Sequence, residues 1–144
     1  MRRFQLCVLV ISLIAAALPS AAQTLIATVP VGQVPGYLVA DPVTNKIYIE
    51  NICGTDPSCS SPGSITVIDG LSNQTTNIPV GNNPQFMVMN NATNKLYVTN
   101  RADGTVTIIN GATNQVIKTL PVGPNPVGAD VNPLTNRIYC QLRK

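Results

Sequence analysis

Cysteines and carboxylates are the residues of this sequence that could do chemistry, because it contains no histidine at all. Cys53 and Cys59 bracket Gly54-Thr55-Asp56-Pro57-Ser58. In an oxidising compartment that spacing closes a small disulfide loop. The alternative is a metal site, but zinc wants a close Cys pair with two further ligands, and the missing imidazoles favour the disulfide. The same absence removes a Ser-His-Asp triad and a Cys-His pair. Among the carboxylates, Asp41, Asp69 and Asp103 fall in turns, where Asx chemistry accounts for them. Glu50 is expected to point to solvent between strands. Asp130 stands in an apolar run at the position that Val39 and Val88 take in similar segments. A carboxylate there could bind a cation or a polar ligand, and the plainer alternative is that it meets water. Cys140 stands where Ile49 and Val98 stand and reads as a buried apolar substitute. No catalytic, cofactor-binding or metal-ligating set of residues is assigned.

The elements that must position these residues are repeated. Pro30–Asn51 (PVGQVPGYLVADPVTNKIYIEN), Pro79–Asn100 (PVGNNPQFMVMNNATNKLYVTN) and Pro121–Leu142 (PVGPNPVGADVNPLTNRIYCQL) superimpose without gaps. The spacing is 42 residues from the second segment to the third and 49 from the first to the second, because the first unit carries the insertion that holds Cys53 and Cys59. A second half repeats as well, GSITVIDG at Gly63–Gly70 and GTVTIING at Gly104–Gly111. Internal repeats of this length signal stacked supersecondary units.

Each unit reads as four short strands. Residues 36–40, 85–89 and 127–131 are apolar on nearly every residue and bounded by Pro and Asx, which predicts strands buried on both faces. Residues 46–51, 95–100 and 137–140 form the second strand of each unit. Residues 64–69 and 105–110, rich in Ile, Thr and Val, form the third. Residues 75–78 and 115–120 form a fourth, more polar strand expected at the outer edge. Asn45, Asn94 and Asn136 fall where a left-handed residue closes a hairpin, and Asp69-Gly70 and Asn110-Gly111 mark tight turns. Four antiparallel strands in about 42 residues is the period of a β-propeller blade.

Leu96-Tyr97-Val98-Thr99-Asn100, preceded by Thr93-Asn94-Lys95, resembles the YVTN-type β-propeller repeats of bacterial and archaeal surface and periplasmic proteins. Ile47-Tyr48-Ile49-Glu50-Asn51 and Ile138-Tyr139-Cys140 are variants of the same motif, so Tyr48, Asn51, Tyr97, Asn100 and Tyr139 are its repeat residues. The resemblance implies a closed ring of blades. This chain departs from it in its length, in the insertion of its first unit, and in a third motif that decays into Cys140-Gln141-Leu142. A closed propeller needs about four blades. The expected fold is therefore all-β and incomplete: about two and a half blades plus an orphan strand, Leu25–Val29, which aligns with the last strand of a unit.

Arg2-Arg3, the apolar stretch Phe4–Leu18 and Ser20-Ala21-Ala22 read as a signal peptide over residues 1–22. The partial repeat domain then occupies 23–144, with units at about 33–79, 80–121 and 122–144. Loss of Arg2 and Arg3 brings the formal charge from +3 to +1, no footprint for nucleic acid or an anionic membrane. The expected product is extracytoplasmic: periplasmic, secreted or at the cell surface. Its expected role is that of a noncatalytic module, a piece of a larger propeller, that binds a protein or small ligand or builds surface structure, with self-association through unpaired blade edges. The alternative is a truncated remnant of a lactonase-like or oxidoreductase-like propeller enzyme, without activity alone. No cofactor is implied.

Overall fold

A computed structural model describes residues 27–144; the signal-peptide reading of residues 1–22 lies outside the described residues. Ten strands follow one another in the order β1 (Pro35–Asp41), β2 (Lys46–Asn51), β3 (Ser64–Asp69), β4 (Thr75–Pro79), β5 (Pro84–Asn90), β6 (Lys95–Asn100), β7 (Thr105–Asn110), β8 (Gln115–Pro121), β9 (Pro126–Asn132) and β10 (Arg137–Leu142). They form three antiparallel sheets, β1-β2-β3-β4, β5-β6-β7-β8 and the two-stranded β9-β10. Among the described residues there is no helix, and the sheets do not close on one another.

Tight turns dictate this meander. Asn45, Asn94 and Asn136 adopt φ of 52°, 48° and 53°, as a left-handed hairpin residue must. Asp41 and Asn90 open the same turns. Asp41 Oδ1 accepts the N–H of Val43 at 2.9 Å and its Oδ2 accepts the Thr44 hydroxyl, while Asn90 Oδ1 accepts the N–H of Ala92 at 3.0 Å. The Asx-Gly turn of the third strand folds back onto the Asn of the first turn. Gly70 N–H donates to the Asn45 carbonyl at 2.8 Å, and Gly111 N–H donates to the Asn94 carbonyl at 2.9 Å. Glycine is required at 111 because a Cβ there would collide with the Asn94 side chain.

The first strands of the three sheets run side by side, β5 next to β1 and β9 next to β5. The core lies between the first two sheets. Tyr48, Ile65, Val67 and Ile78 of sheet one meet Met87, Met89, Leu96, Val98 and Ile109 of sheet two, all buried. The outer strand β8 is exposed on every residue, the apolar Val116, Ile117 and Leu120 included.

Two expectations are corrected. Glu50 does not point to solvent: it is 2% exposed, on the face of Tyr48 and opposite Ile65, both completely buried. Strand alternation puts it on the face that sheet two covers. The orphan-strand reading is left open: Leu25 and Ile26 lie outside the described residues, and Ala27–Val29 belong to no sheet. The first strand of a unit is also not uniformly buried. In β5 it is largely covered, whereas β1 leaves Tyr37 and Leu38 at 55% and 65% exposure. Two flanking sheets are needed to cover both faces of such a strand, and among the described residues β1 has one on one side alone.

Candidate binding cleft

The motif Asn is a latch inside each complete sheet. Asn51 Oδ1 accepts the N–H of Gly32 at 3.0 Å, and its Nδ2 donates to Ser64 Oγ at 3.2 Å and Thr66 Oγ1 at 2.9 Å. Asn100 repeats this with Gly81 N–H at 3.1 Å, Thr105 Oγ1 at 3.0 Å and Thr107 Oγ1 at 2.8 Å. One buried amide thus ties the PVG segment to the third strand, and all its hydrogen-bonding groups are used. In the third unit Leu142 takes the place of this Asn, and Gly123 opposite it turns to φ 113°.

The motif Tyr and the Lys two residues before it work between sheets. Tyr48 O–H donates to the Gly111 carbonyl of sheet two at 3.1 Å. Lys46 Nζ donates to the same carbonyl at 2.7 Å, to the Ala112 carbonyl at 3.1 Å and to Asn114 Oδ1 at 2.9 Å. Sheet one therefore grips the β7–β8 turn of sheet two by its carbonyls. Burial, with the Asp41 charge adding to it, pushes the Tyr48 hydroxyl up to about 12, against a smaller opposing hydrogen bond from Thr44. Tyr48 is a donor here at any physiological pH.

By repeat position, Lys95 and Tyr97 of sheet two are the counterparts of Lys46 and Tyr48. They do not close on a turn. They line a cleft of about 400 Å³ together with Val106 and Ile108 of β7 and Ile138 and Cys140 of β10. The cleft is mostly apolar, with Lys95, Lys118 and the Tyr97 hydroxyl as its polar groups, the make-up of a binding surface. Burial raises the Cys140 thiol above the ordinary cysteine value. Cys140 is half-buried at the cleft wall, less enclosed than an apolar substitute in a finished core.

Asp130 is exposed, and its Oδ1 accepts the N–H of the adjacent Val131 at 2.8 Å. It borders a second depression of about 450 Å³ with Tyr37, Phe86 and Tyr139. The Tyr37 and Phe86 rings meet edge to face there, centroids 4.8 Å apart. Among the described residues no group of three or more metal-ligating side chains comes together.

Cys53 and Cys59 are joined by a disulfide, with Cα atoms 4.5 Å apart. Asp56 organises the loop between them. Its Oδ1 accepts Ser58 N–H at 2.9 Å and Ser58 O–H at 2.7 Å, and its Oδ2 accepts the N–H groups of Ser60 at 3.0 Å and Ser61 at 3.1 Å. These donors, Ser58 foremost, hold the Asp56 carboxyl down at about 2.

Sequence reasoning brought Tyr48, Tyr97 and Tyr139 into register but missed what they do. It also missed Lys46 and Lys95, although a basic residue opens the second strand of all three units, and that recurrence was the available signal.

No protein-family profile and no curated protein matches the chain. Thirteen chains of solved structures do. One is the hydrazine synthase of Kuenenia stuttgartiensis, with a TM-score of 0.64 and 20% identity over 80% of this chain. This chain spans 31% of the length of that structure. At that identity the likeness concerns the fold alone.

Proposed function

We propose that the chain is an exported, noncatalytic repeat module of the YVTN β-propeller type, whose sheets are blades and whose work is to bind a protein or small ligand. The observation that carries this reading is the open junction between sheets two and three. Its apolar wall and the β10 edge, unpaired among the described residues, are the features that recruit a partner strand or surface. The gap-free repeat, the four-strand meander of each complete sheet and the neighbouring first strands support the blade assignment. The Cys53–Cys59 disulfide supports a compartment outside the cytoplasm.

A second reading, the remnant of a larger propeller enzyme, is favoured by the third unit, where Leu142 replaces the latch Asn and Gly123 opposite it takes φ 113°. It shares the blade assignment and differs in expecting no retained partner.

Production in an exporting bacterium tests the proposal. Intact mass should begin at Gln23, unreduced peptide maps should recover Cys53 linked to Cys59, and light scattering across a dilution series should show association through the open flank. Material that keeps Met1 in the membrane fraction, or carries both cysteines as free thiols, contradicts the exported module.

A further inference from the structure

We propose that Asn110-Gly111 is a latent modification site, at which the asparagine deamidates through a succinimide once the junction between sheets one and two opens, so that isoaspartate at position 110 is a lasting record of that opening. The proposal concerns the closed junction and holds whether or not the chain is a binding module.

Asn110-Gly111 is the one Asn-Gly pair of the sequence. Asparagine followed by glycine is the pairing in which deamidation is easiest, because no side chain shields the attacking backbone nitrogen. The Gly111 nitrogen attacks Asn110 Cγ, and a ring closes through the new N–Cγ bond. The Cγ–Nδ2 bond breaks, and the side-chain amide leaves as ammonia with the proton that Gly111 gives up. Water then opens the succinimide at either carbonyl and leaves aspartate or isoaspartate.

The electrophile is ready. Asn110 Oδ1 accepts the N–H groups of Ala112 at 2.9 Å and Thr113 at 3.2 Å. The same two donors would stabilise the oxygen as it takes up negative charge during attack. The nucleophile is withheld. The Gly111 N–H donates to the Asn94 carbonyl at 2.9 Å, and the Asn94 side chain lies so close that a Cβ on Gly111 would collide with it. Across the junction, Lys46 Nζ and Tyr48 O–H hold the Gly111 carbonyl at 2.7 and 3.1 Å, and Lys46 also takes the Ala112 carbonyl. To attack, the Gly111 nitrogen must swing toward the Asn110 side chain by rotation about the Asn110 Cα–C bond. That rotation breaks the bond to Asn94 and pulls the Gly111 carbonyl off Lys46 and Tyr48, since the peptide planes between them are rigid. The turn's own sheet and the neighbouring sheet therefore block the reaction together, and sheet one supplies the part that only a closed junction can.

Unit one shows which product the turn accepts. Asp69 stands at the position of Asn110, and its Oδ1 accepts the N–H groups of Leu71 at 3.0 Å and Ser72 at 2.8 Å. Aspartate at 110 thus keeps the turn. Isoaspartate routes the main chain through the side-chain carbon, lengthens the turn by one methylene and displaces the Gly111 carbonyl from Lys46 and Tyr48. The first product is silent, and the second prevents the junction from closing as before.

The test compares the full chain with a synthetic peptide of residues 105–114, TVTIINGATN, in mildly alkaline buffer. Peptide maps read aspartate and isoaspartate at position 110. The folded chain should deamidate there at least about tenfold slower than the peptide, because reaction waits for local opening. Tyr48→Phe and Lys46→Met, which remove the two donors from sheet one, should each speed it several-fold while circular dichroism remains that of the wild type. If either variant fails to fold, the wild-type chain in urea below its unfolding transition gives the same reading: the rate at Asn110 should climb before circular dichroism changes. Asn110→Asp should melt with the wild type, and the isolated isoaspartyl form should melt lower. A folded chain that deamidates as fast as the peptide overturns the proposal. So do folded variants that keep the wild-type rate, which would leave the turn alone as the block, and so does a rate that follows only global unfolding. An isoaspartyl form that melts with the wild type overturns the record it is said to keep.

Discussion

The two junctions between sheets are built from the same repeat and differ, among the described residues, by one strand. Between sheets one and two, Tyr48 and Leu96 are completely buried and a lysine and a tyrosine hold a turn of the neighbouring sheet. Between sheets two and three, Tyr97 and Ile138 are half-buried, and Lys95 and Tyr97 stand at an open cleft. The side-chain types are nearly the same on both sides. A β-branched or aromatic residue therefore contributes through the neighbour that covers it rather than through its identity, and a strand's worth of cover separates core from open cleft.

The sharpest way to break the comparison is to truncate equivalent residues. Leu96→Ala should cost about 2–5 kcal/mol in urea unfolding, because it opens a cavity in a closed core. Ile138→Ala, at the same repeat position, should cost less than about 1 kcal/mol, because water already reaches it. Equal losses would mean that the second junction is as well packed as the first.

The next effect concerns the latch. Asn100→Ala strands the Gly81 N–H and removes the donors to Thr105 Oγ1 and Thr107 Oγ1, the latter keeping its contact with Thr119 Oγ1 at 3.2 Å, and should cost about 1–3 kcal/mol by the same measurement. The reverse change in the third unit, Leu142→Asn, should move stability by no more than about 0.5 kcal/mol, since among the described residues sheet three has no third strand to take the amide's donors. A large gain from Leu142→Asn would show that the latch works without that strand.

The smallest effect sits inside the closed junction. Burial raises the Glu50 carboxyl above the ordinary glutamate value, a backbone hydrogen bond from Tyr37 opposes part of that rise, and Oε2 has no hydrogen-bond partner. A raised carboxylate pKa means that the folded chain holds its proton where the unfolded chain has lost it. Stability therefore falls as pH rises from the ordinary glutamate range through the folded value, and the loss is complete above that value. Glu50→Gln should abolish this slope and gain on the order of 1 kcal/mol at pH 7, read from melting curves between pH 4 and 8. An unchanged slope in Glu50→Gln would place the titration elsewhere. The counterpart in the second unit, Thr99, is neutral and donates to the Phe86 carbonyl at 3.3 Å, so the same face is accommodated there without a charge.

Much of this architecture was legible before any coordinates. The ten expected strands other than Leu25–Val29 match β1 to β10 within a residue or two, because Pro, Asx and Gly punctuate the chain at every turn. The left-handed asparagines and the Cys53–Cys59 pair were legible for the same reason: each is a local choice, settled within a few residues of chain. Glu50 was misread because a lone carboxylate on a strand carries no local sign of which face a second sheet will cover. The cleft was not legible as a site at all, since its walls come from β6, β7, β8 and β10, and none of those segments is unusual by itself.

The sequence by itself determined the repeat, the strand boundaries, the turn conformations and the disulfide, since short-range sterics and hydrogen bonding fix these within one unit. Only the tertiary structure decided that Tyr48 is core while Tyr97 lines a cleft, that Glu50 is enclosed, and that Lys46 holds a turn 65 residues away. Those differences depend on which sheet lies against which, and a repeated sequence states the same side chains at each junction without saying whether a neighbour is there to cover them.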